Sequence, residues 1–182
     1  MSDRALLIID VQQGFDEPYW GERNNPQAEE NIARLLNAWR AAKRPVFHVK
    51  HNSPLSQSPL HPRKPGNAYK DFASPRDGEA AFDKQVNSAF IGTDLETELR
   101  SAGIDQLLIV GLTTPHCIST SARMAANLGF NVKVVSDATA AHAGLGPDRK
   151  AIDADTMHYH ALAALNGEFA DIVTTAEALG DG

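Results

Sequence analysis

The chain has 182 residues, a length that suits one domain and hardly two. Its composition, 42% hydrophobic and 22% charged, is that of a globular chain and argues against wholesale disorder. Seventeen basic against 23 acidic side chains give a net charge of −6, which excludes a nucleic-acid binder held by a basic surface; a single cysteine excludes an intrachain disulfide and a cysteine-rich zinc site.

Ala5–Asp10 is a short, continuous apolar run closed by an acid, and it reads as a strand buried on both faces. The run is too short for a signal peptide's hydrophobic region, and no other run approaches membrane length, so no membrane association and a cytoplasmic location are expected. Pro26–Lys43 carries Ile32, Leu35, Leu36 and Trp39 at helical spacing, which predicts an amphipathic helix with Asn25-Pro26 as cap and first turn and Pro45 as its stop. Val46–His51 reads as a second strand. Asn52–Ala80 is rich in Pro, Ser, Gly, Lys and Arg without a sustained period; a loop of that length is disordered or functional, and covering a cleft or packing on a partner subunit is its expected role. Thr93-Asp-Leu-Glu96 spells a capping box for a helix through Ala102, ended by Gly103. Gln106–Gly111 is the clearest buried strand, and Thr114-Pro115 opens a helix to Leu128. Asn131–Ser136 reads as a strand, Gly144 to Pro147 as a loop, Asp148–Asn166 as a helix, Phe169–Thr174 as a strand, and the last residues as a short helix.

This alternation predicts an α/β fold: three αβα layers, with a Rossmann-like, mostly parallel sheet and helices on both faces, formed by a single domain over residues 1–182. In such sheets ligands bind beyond the carboxyl ends of the strands. The residues expected there are Asp10, His51, Gly111 to Cys117, and Asp137 to Thr139. The turn after Asp10 reads Val-Gln-Gln-Gly and lacks the Gly-x-Gly-x-x-Gly of a dinucleotide site.

Cys117 falls in the first turn of a helix that follows a buried strand, where free backbone N–H groups and the helix dipole favour thiolate and can hold an oxyanion. A buried structural cysteine is the competing reading. Asp10, at a strand end, must be paired or solvated and can handle a proton; a turn or cap acid is the alternative. Lys84 is an ordinary surface charge by itself, but beside an aspartate and a cysteine it stabilises a thiolate.

The segments that hold these three residues resemble the motifs of the isochorismatase-like cysteine hydrolases. Leu6 to Phe15 resembles the Asp-x-Gln-x-x-Phe opening of that superfamily, and Lys84 with Ser88-Ala-Phe90 and Thr93-x-Leu95 is similar to its second motif. Gly111-Leu-Thr-Thr-x-x-Cys117, with Ala122-Arg123, is similar to its third motif, and Gly129-Phe130 and Ser136-Asp137-Ala138 are similar to the tail beyond it. Local features such as Trp20-Gly-x-Arg-Asn-Asn-Pro26 and Asn87–Glu96 resemble the streptothricin-hydrolase-like members most. The resemblance implies a catalytic triad of Asp10, Lys84 and Cys117, a cis peptide at Leu112–Thr113, and an oxyanion hole from the N–H groups of Thr113 and Cys117. It implies hydrolysis of a C–N bond in a small amide, lactam or carbamoyl compound, without a cofactor, in a homo-oligomer. Ether or ester hydrolysis, and a noncatalytic binding protein on the same fold, are the alternatives. Many relatives carry an acid where this chain has Pro115.

Phe15, Trp20, His51, Phe90 and His116 are the expected pocket residues. No metal is expected. His48 and His51 face opposite sides of a strand, His158 and His160 diverge on a helix, and Lys50-His51-Asn52-Ser53 lacks the Asp-x-His metal motif of nicotinamidases. A Cys–His pair of Cys117 with His116 is a weaker reading than the aspartate–lysine one, because helical neighbours point about 100° apart.

Overall fold

The computed structural model describes residues 4–180. Its strands are β1 (Arg4–Ile9), β2 (Val46–His51), β3 (Ala80–Lys84), β4 (Gln106–Leu112), β5 (Asn131–Ala140), β6 (Gly144–Leu145), β7 (Ala151–Ile152) and β8 (Asp171–Val173). The helices are α1 (Ala28–Ala41), α2 (Leu95–Ser101), α3 (Ser119–Asn127), α4 (Ala154–Ala163) and α5 (Thr175–Leu179). Six strands form a parallel sheet in the order β3-β2-β1-β4-β5-β8, and β6 and β7 form a small antiparallel hairpin.

The apolar run of β1 is buried from both sides, as its composition requires. Ala5, Leu7 and Ile9 pack in one core with Leu95 and Leu99 of α2, Ala122 and Ala125 of α3, and Leu162 of α4. Leu6 and Ile8 face the other core, against Ile32, Leu35, Leu36 and Trp39 of α1 and the flank of α5. These are the expected three layers. No helix among the described residues is long and apolar enough to cross a membrane.

Several local expectations are corrected. The first helix begins at Ala28, not Pro26, because Asn25 takes a left-handed conformation and spends its amide on the carbonyls of Ser136 and Thr139. Thr93 forms no capping box: its hydroxyl donates to the Ala89 carbonyl, and Glu96 pairs with Arg100. The true capping box is Thr174 with Glu177, at α5. Asp137 to Thr139 do not end a strand, since β5 runs on to Ala140; the Asp137 carboxylate instead accepts from the backbone and hydroxyl of Thr175. The helix expected from Asp148 starts at Ala154, after the hairpin takes up the residues before it.

The strand β3 emerges from a stretch with no clear period. It lies at the sheet edge beside β2, with His51 opposite Lys84. The loop before it is pinned rather than loose. Asn67 donates to the carbonyls of His51 and Leu60, and Gly66 lies so close to Gly14 that a Cβ would sit 2.7 Å from the Gly14 Cα. Glu79, at the loop's end, accepts from Arg40 and meets buried His48 at 2.8 Å.

Gly111 on β4 pairs with Ile9 on β1 and leaves no room for a side chain. Its φ is +123°, and a Cβ there would stand 1.9 Å from the Ile9 carbonyl oxygen, one residue before Asp10. Gly111→Ala is expected to lower the unfolding free energy by about 2–4 kcal/mol, read by urea denaturation; wild-type stability would contradict this packing.

Candidate active site

The ends of four neighbouring strands converge at one point. Asp10 follows β1 with φ of +55°, a left-handed conformation that aspartate tolerates better than most residues. Its N–H donates to the Val49 carbonyl, which ties the turn to β2. His51 ends β2, Lys84 ends β3, and Cys117 lies in the tight π-type turn Thr114–Ile118 between β4 and α3. The Leu112–Thr113 peptide that leads into this turn is cis, at the expected position.

Lys84 is buried, and its ammonium sits at the centre of the group. Its Nζ donates to Asp10 Oδ2 at 2.7 Å and to Cys117 Sγ at 3.2 Å, and lies 3.0 Å from His51 Nδ1. An ammonium has three N–H bonds, and here all three have acceptors. His51 is therefore more than a wall residue: its lone pair supplies the third acceptor, with the imidazole neutral. Burial and the adjacent ammonium both hold its pKa below the usual range. Gln12 fixes His51, accepting from its N–H at 2.9 Å and donating to its carbonyl at 3.1 Å.

A carboxylate oxygen of Asp10, a ring nitrogen of His51 and Cys117 Sγ lie within 4.8 Å of one another. This O, N, S donor set suits a metal such as zinc. Lys84 already supplies a positive charge to all three, so a metal ion must displace the ammonium to bind there.

Burial is the largest influence on the pKa of Asp10 and raises it, against the lowering effect of Lys84. The Cys117 thiol is likewise pushed up, by burial first and then by the charge of Asp10. Both influences run against the thiolate that the helix terminus and Lys84 favour. Asp10 Oδ1 is buried without a hydrogen-bond partner among the described residues, which leaves it free to accept a proton.

The group opens into a cleft of about 490 Å³. Phe15, Trp20, His51, His116, Thr113 and Cys117 line it as expected. Phe90 does not. It packs toward the core against Phe130, with ring centroids 6.0 Å apart, because its segment leads into α2 rather than back to the sheet end. His116 is exposed at the cleft and meets the Thr113 hydroxyl at 3.0 Å. The loop residues Ser53, Leu55, Ser58 and Leu60 line the cleft too, in keeping with the cleft-covering role expected of residues 52–80, whereas Tyr19, His142, and Leu145 with Met157 go unmarked in the sequence. The lack of pattern in residues 52–80 hides which of the loop's residues face the cleft, and nothing in the sequence around His142 points to it. The cysteine turn is braced from α4, where His158 Nδ1 lies 2.8 Å from the Thr114 hydroxyl.

The Isochorismatase domain model matches residues 4–177. The chain belongs to the isochorismatase family of hydrolases. It is 46% identical over 178 residues to YrdC of Bacillus subtilis (strain 168), an uncharacterized isochorismatase family protein, covering 98% of this chain and 95% of that one. It is 28% identical to the maleamate amidohydrolase of Pseudomonas putida KT2440, over 96% of this chain and 84% of the other. An isochorismatase-family crystal structure from Chromobacterium violaceum ATCC 12472 superposes with a TM-score of 0.94 at 41% identity, covering 98% of this chain and 92% of its own.

Removing Lys84 leaves Asp10 buried without a counter-charge. Lys84→Met is expected to lower the unfolding free energy by about 3–5 kcal/mol, and adding Asp10→Asn should recover part of that loss, measured by a urea double-mutant cycle. Strictly additive effects would contradict the pairing.

Proposed function

We propose that this member of the family is a cysteine hydrolase that cleaves a carbon–nitrogen bond of a small-molecule amide through an acyl-enzyme. The observation that carries the reading is the single ammonium of Lys84 shared by Asp10 and Cys117. The amidohydrolase among the relatives supports the choice of bond.

The chemistry derives from the charges. The buried thiol is a poor nucleophile until its proton leaves, and Asp10, with a raised pKa, is a competent base for it. Sulfur attacks the amide carbonyl carbon as the thiol proton passes to Asp10. The Lys84 ammonium holds the negative charge on both groups in turn. The carbonyl oxygen, now an oxyanion, is met by the backbone N–H groups of Thr113 and Cys117. Asp10 returns the proton to the leaving nitrogen, the C–N bond breaks, and a thioester remains. Water then attacks the thioester, Asp10 accepts its proton, and collapse expels the sulfur, which regains that proton as the acid departs.

Cys117→Ala is expected to lose about a thousandfold or more in amide hydrolysis while keeping wild-type circular dichroism. Intact-mass spectrometry of the wild type, quenched during turnover, should show an acyl adduct that the variant lacks. Full activity in the alanine variant would overturn the thiol mechanism.

A further inference from the structure

We propose that the cleft selects uncharged amides with a flat, apolar body and discriminates against substrates bearing a second, charged group. The proposal rests on the amide-hydrolase reading above and names its substrate class.

The cleft has no free charge on its walls. Among the described residues that line it there is no lysine, arginine or glutamate, and the single carboxylate is Asp10. Asp10 is paired with Lys84, and all three donors of Lys84 are committed within the protein. No cation is left to receive a substrate carboxylate, and no free anion to receive an ammonium. A charged substrate group must then give up water without a counter-charge, which is costly.

The nearby charges do not fill this gap. Arg23, Glu29 and Lys70 line a neighbouring hollow that shares Phe15 and His142 with the cleft. Their charges are paired outside the cleft: Glu29 pairs with Arg23 and, at 3.0 Å, with Lys70, which also pairs with Asp16, although Arg23 Nε keeps no hydrogen-bond partner among the described residues. His142 stays neutral, since burial and the charge of Arg23 hold its pKa down to about 4.

What the cleft offers instead is an aromatic platform. Phe15 and Trp20 lie with ring centroids 5.0 Å apart, and His142 stacks on Phe15 at 6.3 Å and 17°. The platform is rigid, because Trp20 Nε1 donates to the Gly14 carbonyl at 2.8 Å and the backbone of residue 142 is bridged to that of Arg23. Leu55, Leu145 and Met157 add apolar surface, with Leu55 and Leu145 more than half exposed at the rim. Such walls bury a planar ring, and they offer a charged tail no counter-charge.

The test uses one scaffold in three charge states: benzamide, 4-carboxybenzamide and 4-(aminomethyl)benzamide. Assays run at pH 8. The expected result is a kcat/KM for benzamide at least about tenfold above that of either charged analogue. In parallel, calorimetry measures the binding of each compound to Cys117→Ala protein, where the same order is expected. Equal or better turnover or binding of a charged analogue overturns the proposal, as does failure of benzamide to bind. If no compound is hydrolysed but benzamide binds preferentially, the amide-hydrolase reading falls and the charge selectivity stands.

Discussion

A lysine ammonium held out of water is the constraint around which this molecule is arranged. Desolvating such a group costs several kcal/mol unless its donors are satisfied. Lys84 meets that demand with a carboxylate, an imidazole and a sulfur, each delivered from a different strand end or the turn after one. The arrangement binds chemistry to architecture. If β1, β2, β3 or β4 slips in register, one of the four groups leaves and an unpaired charge stays behind.

The sheet topology is what makes this convergence cheap. With β1 central and parallel strands on either side, all the carboxyl ends fall on one edge of the sheet. The order reverses between β1 and β4, where a crevice forms. Gly111 takes a backbone conformation there that would drive any side chain into the Ile9 backbone. The long loop before β3 then closes one side of the crevice. It is held by Asn67 and Gln12 to the same strand end that carries His51, so the wall of the cleft and the acceptor for Lys84 are fixed together.

Much of this is legible in the sequence, for physical reasons. Buried parallel strands leave continuous apolar runs, so β1 and β4 are visible, and with them Asp10 and the cysteine turn. Lys84 is visible only through its resemblance to a family motif, because edge strand β3, Ala-Ala-Phe-Asp-Lys, is half polar and carries no clear period. Phe90 escapes prediction because proximity to Lys84 in sequence does not fix which way a loop turns. Asp137 and Thr93 mislead because short polar side chains bind whichever backbone group lies near them in the fold. The cysteine's surroundings are the most instructive difference: the sequence shows the helix terminus, whereas burial and the aspartate charge, which push the thiol up, become visible only in the fold. His142 and Tyr19, which shape the cleft, reach it from loops that no periodicity marks.

In the proposed mechanism Asp10 and Lys84 hold Cys117 as a poised thiol rather than a preformed thiolate. The chain has one cysteine, so its ultraviolet thiolate absorbance, taken as a difference between wild type and Cys117→Ala across pH, reports this group alone. No thiolate signal between pH 6 and pH 8 is predicted, with the thiol titrating above its ordinary value of about 8.5. A full thiolate signal at pH 6 would contradict the account.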